Sequence, residues 1–328
     1  MIVGIESTAH TFGIGVVNKG KIIANVKDVY TTKHGGIVPK DAAAHHVNVS
    51  NEVFKKAFEE AKAKVKDIKA IAFSSGPGLA PCLLEGMKFA KKLSYKCEVP
   101  LIPVNHCVAH LEIGRITGAK DSVLLYASGA NTQIIAYAGG RYRVFGETLD
   151  NGIGNFIDGF ARYIGLGFPG GPKIQELAKK GKKYIELPYS IKGMDISFSG
   201  MQTKLKQLYD KKSKDYSVED LAFSLQETAF AMLVEASERA IAHLNKKELV
   251  IGGGVGCNIR LQEMCRIMCQ ERDAMFFAPP NSLLVDNGAM IAYLGEIIFN
   301  SKTYEKDLNK IDIFPRQRTD DIEVKWRK

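Results

Sequence analysis

Val123-Leu-Leu-Tyr-Ala127-Ser-Gly-Ala-Asn-Thr132-Gln-Ile-Ile-Ala-Tyr137 reads as two strands joined by a hairpin of small residues. Five-residue apolar runs bounded by Ser, Gly and Asn are the strand-and-turn pattern. Residues 142–149 add a third strand and 153–163 a helix. After an insertion at 165–216, the spacing predicts a helix over 218–244, a strand at 249–251, a helix at 259–270, a strand at 274–277 and a last helix at 287–299. The first half of the chain runs in the same order. Strands at 2–6, 12–18 and 21–29 precede a long helix at 39–64, a buried strand at 70–74, a helix from Pro81, a strand at 101–104 and a short helix carrying His106 and His110.

Three strands followed by alternating helices and strands, written twice, resemble the duplicated α/β fold of actin, hexokinase and heat-shock-70 proteins. In that fold two lobes hold a nucleotide in the cleft between them. The expected division is an N-terminal lobe over 1–115, with the helix near 287–300 packing back on it, and a C-terminal lobe over 116–300 that contains the insertion. Residues 301–328 are polar and charged and are expected to form a tail or linker. The insertion is expected to be irregular. It opens on Gly165-Leu-Gly-Phe-Pro-Gly-Gly-Pro172, a stretch suited to bringing backbone close to a ligand.

A chain of 328 residues with 45% hydrophobic residues is long enough for two packed lobes, and no run approaches the roughly 20 apolar residues of a membrane span. The start, Met1-Ile-Val-Gly-Ile-Glu6, lacks the basic and apolar regions of a signal peptide. Six cysteines without a Cys-x-x-Cys pair read as reduced core thiols, so the expected location is cytoplasmic, with no membrane partner. A formal net charge of +9 permits a polyanionic partner such as RNA.

His106-Cys-Val-Ala-His110 places two imidazoles on consecutive turns of one helix face, and Asn105 stands where an N-cap belongs. Such a pair at a strand end reads as a metal site, far upstream of an isolated Asp286. A zinc protease would carry glutamate after the first histidine, as its general base. Cys107 holds that place here, so the motif points to a metal and away from that mechanism. The hairpin at 128–132 has small residues whose amides and hydroxyls suit a phosphate or acyl group, and Glu6-Ser-Thr-Ala-His10 is its mirror in the first half. Gly252-Gly-Gly-Val-Gly-Cys-Asn258, between strand and helix, suits close approach to a base or ribose. Asp158 is a candidate acceptor for a ribose hydroxyl. No Walker-type lysine motif occurs.

Glu6-Ser-Thr8, His34-Gly-Gly-Ile-Val-Pro39, Gly76-Pro-Gly-Leu79, Asn105-His106 with His110, Ser128-Gly-Ala-Asn-Thr132, Gly170-Gly-Pro172, Ser197-Phe-Ser-Gly200 and residues 252–258 together resemble the universal tRNA threonylcarbamoyladenosine transferase family over about residues 1–300. The archaeal and eukaryotic form is the catalytic subunit of the KEOPS complex, formerly described as an O-sialoglycoprotein endopeptidase. Thr8-Ala-His10 and Tyr126-Ala-Ser128 resemble the archaeal type. The resemblance implies transfer of threonylcarbamoyl from threonylcarbamoyl-AMP to the exocyclic amine of the adenosine beside the anticodon, in tRNAs reading ANN codons. It implies that His106, His110 and Asp286 are metal ligands with Tyr126 as a fourth, for one divalent metal per chain. Iron(II) and zinc suit that ligand set alike. It also implies that Ala127, Ser128, Gly129, Ala130 and Asn131 hold the threonylcarbamoyl end and phosphate, while Asp158, Gly171, Gly254 and Asn258 hold the nucleoside of an adenine nucleotide or of threonylcarbamoyl-AMP. Glu6 and His34 stand as supporting residues. Gln175 departs from the pattern, standing where archaeal relatives often carry a ribose-binding glutamate; Glu85 and Ala44 depart as well, away from the chemistry. The implied partners are tRNA, a small atypical protein kinase that is sometimes fused C-terminally, and the other KEOPS subunits.

The anhydride donor is already activated, so no nucleophile is assigned. A metalloprotease would need a general base outside the histidine motif. An ATP-driven kinase or chaperone of the same superfold would need an activating acid in the first hairpin, where Glu6 is the near candidate. A non-enzymatic nucleic-acid scaffold would leave the histidine pair without a use.

Overall fold

The computed structural model describes residues 1–32, 36–211 and 214–327; His34 lies outside the described residues. The first half contains β1 (Ile2–Glu6), β2 (Thr11–Asn18), β3 (Lys21–Val29), α1 (Pro39–Glu60), β4 (Ala70–Gly76), α2 (Ala80–Cys97), β5 (Leu101–Asn105) and α3 (His106–Glu112). The second half contains β6 (Val123–Ala127), β7 (Thr132–Ala138), β8 (Arg141–Glu147), α4 (Ile153–Tyr163), α5 (Gly171–Ala178), β9 (Ile191–Lys192), β10 (Asp195–Ile196), α6 (Ser199–Lys211), α7 (Val218–Leu244), β11 (Glu248–Gly252), α8 (Ile259–Glu271), β12 (Met275–Phe277), α9 (Asn281–Leu284) and α10 (Gly288–Ser301). The insertion is therefore more regular than expected. It holds α5, the β9–β10 hairpin and α6, because Ile174, Ala178, Met201, Leu205 and Leu208 find the second lobe's core to pack against.

The duplication is explicit in the sheets. One has the order β3-β2-β1-β4-β5 and the other β8-β7-β6-β11-β12, which is the same order when the halves are aligned. In each, a three-strand antiparallel meander continues into two parallel strands. β1, β4 and β6 are buried at every residue, as strands covered on both faces must be.

The two sheets share a layer. α10 packs on β1, β2 and β4, and α3 packs on β4, β5, β6 and β11. Cys107, Val108, Leu111, Leu124, Tyr126, Val250, Met290 and Ile291 fall in one core with residues of both sheets. Close approach of α10 depends on missing side chains. A Cβ at Gly15 would lie 2.1 Å from the Ala289 nitrogen, and one at Gly4 would lie 2.1 Å from that of Ala292. Through this contact α10 of the chain's end serves the first lobe.

The charged tail does not extend as a linker over its described length. The Phe314 amide donates to the Ser75 carbonyl, the Gly78 amide donates to that of Pro315, and Ile322, Val324 and Trp326 pack on the shared core. Charged and apolar residues alternate there, so the face carrying Ile322, Val324 and Trp326 is partly buried while Glu323 and Lys325 stay exposed.

Candidate functional site

Three helices begin at asparagine caps. Asn105 Oδ1 accepts from the Val108 amide at the start of α3, Asn258 Oδ1 accepts from the Arg260 and Leu261 amides at α8, and Asn287 Oδ1 accepts from the Met290 amide at α10. The first two follow the carboxyl ends of the parallel strands β5 and β11, where open α/β sheets bind ligands. These caps aim α3 and α10 so that their first turns converge.

His106 and His110 are buried on α3, and their rings lie 4.8 Å apart. His106 Nε2 is 3.0 Å from the Tyr126 hydroxyl and 3.4 Å from Asp286 Oδ1, which is also 3.3 Å from His110 Nε2. The ligand atoms of His106, His110 and Asp286 lie within 4.8 Å of one another, a group that can hold a metal ion. On the far side of the ring, His106 Nδ1 is 3.0 Å from Glu6 Oε2, so the carboxylate holds a proton on Nδ1 and leaves Nε2 as the ring nitrogen that faces the cluster. Glu6 Oε1 in turn accepts from the Thr8 amide at 2.7 Å and from its hydroxyl at 2.5 Å. Among the described residues, His110 Nδ1 is buried without a hydrogen-bond partner. The donor set of two imidazoles, a phenol and a carboxylate fits a divalent transition metal.

Charge follows from this packing. Burial alone disfavours the His106 imidazolium, but Tyr126, Glu6 and Asp286 outweigh it and hold the His106 pKa well above the ordinary value. Burial likewise works against the Asp286 carboxylate, and the two histidines overcome it, drawing its pKa well below the usual range. Burial pulls the His110 pKa down and pushes that of Tyr126 up. Cys107, at the place of a protease's glutamate, is a buried thiol whose pKa burial raises to about 11, which makes it no general base.

The two glycine-rich loops meet beside this cluster. Gly253 has φ +87°, and a Cβ there would lie 2.3 Å from the Ala127 carbonyl oxygen and 2.9 Å from the Ser128 nitrogen. The hairpin at 127–131 also rests on the start of α4, where the Gly154 and Asn155 amides donate to the Ser128 and Gly129 carbonyls. Ser128 and Asn131 are half-buried and Ala130 is exposed.

The residues expected at the nucleoside form a second group. Asp158 Oδ1 accepts from the Gly170 amide at 2.7 Å; burial raises its pKa against the pull of the Gly170 and Gly171 amides. Gly171 begins α5 with open space where a Cβ would stand, as does Gly254. Gln175 Oε1 accepts from the Ile259 amide, tying α5 to α8. The Asn258 amide donates to Gln226 Oε1 at 2.9 Å while its oxygen caps α8. Gln175, Phe223, Gln226, Ile259 and Arg260 line a cleft of about 330 Å³ here. No contact joins Asp158 or Gly171 directly to the metal-ligand cluster among the described residues.

Sequence reasoning missed Thr8, Gln226 and Lys27. Thr8 lay in a quoted motif, whereas Gln226 is hidden within the apolar period of α7. Lys27 Nζ reaches the Asp286 carbonyl at 3.5 Å from β3, a contact with no local signal.

The sequence matches, over residues 21–293, the family described as TsaD: tRNA N6-adenosine threonylcarbamoyltransferase. It is 53% identical over 323 residues to the tRNA N6-adenosine threonylcarbamoyltransferase of Thermococcus sibiricus, covering 98% of this chain and 99% of that protein. The enzyme of the same name from Archaeoglobus fulgidus is 51% identical over 324 residues, with 98% of each chain covered. A Methanosarcina mazei protein named "Probable bifunctional tRNA threonylcarbamoyladenosine biosynthesis protein" is 50% identical over 332 residues, which are 60% of its length. Among solved structures, HypF of T. kodakarensis matches with a TM-score of 0.66 at 14% identity, over 94% of this chain and 49% of that one. An activator of 2-hydroxyisocaproyl-CoA dehydratase from Clostridium difficile matches at 0.54 and 11% identity, over 93% and 99%. These two likenesses are of fold.

Proposed function

The chain belongs to the tRNA N6-adenosine threonylcarbamoyltransferase family, and from that premise we propose how its residues divide the work. The protein is an acyltransferase that modifies tRNA at N6 of adenosine. The acceptor is the adenosine beside the anticodon of tRNAs reading ANN codons, and the donor is threonylcarbamoyl-AMP. His106, His110, Tyr126 and Asp286 hold one divalent metal, iron(II) or zinc. The observation that carries this is the convergence of two imidazole Nε2 atoms, a phenol and a carboxylate oxygen beside two touching glycine-rich loops.

A metal bound there supplies Lewis-acid stabilisation of charge developing on the donor. Glu6 orients the His106 ring, with Thr8 fixing the carboxylate. Ala127, Ser128, Gly129, Ala130 and Asn131 cradle the threonylcarbamoyl and phosphate end. Asp158, Gly171, Gln175, Gly254 and Asn258 hold the nucleoside; Gln175 accepts or donates through its amide where a carboxylate would only accept. The adenosine amine then attacks the carbamoyl carbon, the carbon–oxygen bond to phosphate breaks, AMP leaves with the bonding pair, and the proton lost from the amine passes to the departing phosphate or to water. Orientation and charge stabilisation suffice for this donor.

Relatives named bifunctional extend well beyond the span of this chain, which supports a working partnership with a small atypical kinase and the other KEOPS subunits in the cytoplasm. No described helix is long and apolar enough to cross a membrane. The test is transfer of labelled threonine to tRNA in a mixture of bicarbonate, ATP, the enzyme that makes the adenylate, and the partner subunits. Transfer that needs this chain and is lost in His110→Ala supports the reading; transfer undiminished in His110→Ala refutes the ligand assignment.

A further inference from the structure

α3 is held at both ends by the chain's last residues. At its start, the cap residue Asn105 donates from Nδ2 to Gln317 Oε1 at 2.9 Å. At its end, Glu112 is fully buried, and Arg327 Nε lies 3.3 Å from its Oε1, to which the Tyr142 hydroxyl also donates at 2.5 Å. Arg115 donates to Oε2 at 3.1 Å. The Arg327 guanidinium lies 4.7 Å from the Tyr137 ring centre and 5.5 Å from that of Tyr142, and Trp326 packs 6.3 Å from Tyr142. Between the two ends, Thr319 of the same segment is buried, as is Cys107, the residue next to His106.

The arrangement is costly unless it is complete. A buried carboxylate needs its charge partners, because an unpaired charge loses its hydration with nothing in return. Glu112 therefore settles where Arg327, Tyr142 and Arg115 meet. It stands two residues, roughly 3 Å of helix rise, beyond His110 on the same short helix. A shift at Glu112 moves His110 with it.

We infer that the segment at 314–327 is a clasp that sets the position of α3 between the lobes, and that Arg327 is a positioning residue for the metal centre. The inference rests on the reading above that His106, His110, Tyr126 and Asp286 hold a metal. Arg327 touches none of these four; it acts through Glu112, and the planar guanidinium between two tyrosines and a carboxylate is a fit that an ammonium only partly reproduces.

The experiment uses the full chain loaded with cobalt(II). Affinity is read by competition with a chelator, site geometry by the visible absorption bands, and the fold by the unfolding temperature. Arg327→Gln is expected to stay folded, to bind cobalt about 10-fold more weakly, at the low end for residues that orient ligands from outside the site, and to alter the absorption bands. Arg327→Lys should restore most of the affinity, and Lys325→Ala, exposed on the same segment, should change nothing. Gln317→Ala tests the other end independently and should shift the bands as well. A tail that only adds stability would lower the unfolding temperature and leave cobalt affinity and bands unchanged in both Arg327→Gln and Gln317→Ala, and that result overturns the inference. If the parent chain takes up no cobalt, the metal reading itself fails, which is a different outcome from a parent that binds and variants that bind equally.

Discussion

Replacing Asn258 separates two jobs that one side chain performs. Its oxygen caps α8 through the Arg260 and Leu261 amides, at 2.9 and 3.3 Å, and its amide donates to Gln226 Oε1 at 2.9 Å. Asn258→Ala removes the cap, at about 1 kcal/mol. It also strips a partner from Gln226, which is 6% exposed, at about 1 kcal/mol more. The expected loss is therefore about 2 kcal/mol, read as a lower urea midpoint by circular dichroism. Asn258→Asp keeps both acceptor contacts, adds a charge that the helix N-terminus favours, and lets Gln226 turn its own amide to donate. Its stability should fall within about 0.5 kcal/mol of the parent, the size of a minor helix-end effect. Nucleotide affinity by calorimetry should behave differently. Alanine is expected to weaken binding of an adenine nucleotide by about 1 to 3 kcal/mol, the range for lost ligand hydrogen bonds, and aspartate should weaken it too, because a carboxylate then faces an anionic ligand. An alanine variant as stable as the parent refutes the cap. Unchanged nucleotide affinity in both variants removes Asn258 from the site.

His106→Ala and His110→Ala should each lose bound metal while remaining folded, and unchanged occupancy by elemental analysis would sink the ligand assignment. Gly15→Ala should destabilise by about 3 kcal/mol, because its methyl would enter the backbone of α10 at 2.1 Å with nothing free to give way; a fall in stability under about 1 kcal/mol would show that α10 can retreat. His46 is fully buried, and burial, with His45 beside it, pushes its pKa down to about 4. Its folded pKa lies below the unfolded value, so its contribution is complete above about pH 6.5 and is lost as pH falls toward 4, approaching about 3 kcal/mol. Urea midpoints across that range should show a steeper decline in the parent than in His46→Leu, and equal slopes would rule this out.

Much of the architecture is legible in local pattern, because buried strands and amphipathic helices declare their period residue by residue. The duplicated order of elements, the histidine pair on one helix face and the glycine loops after β6 and β11 all follow from spacing of this kind. Asn105 could be read as a cap from its place before an apolar helix. Contacts between distant segments carry no such signature. That Asp286 and Tyr126 come within hydrogen-bond reach of His106 depends on α10 and β6 packing against α3, and α10 reaches its place only because Gly4, Gly15 and Gly288 lack side chains. Asn258 is a nucleoside ligand on the family resemblance, and its oxygen also caps the helix that follows. The charge of the tail carries no sign of where it packs. The alternation Ile322-Glu-Val-Lys-Trp326 is the available sign that one face is partly buried, but what the segment meets, the tyrosines of β7 and β8 and, through Arg327, the buried Glu112, lies roughly two hundred residues away and exists only once both lobes pack around α3.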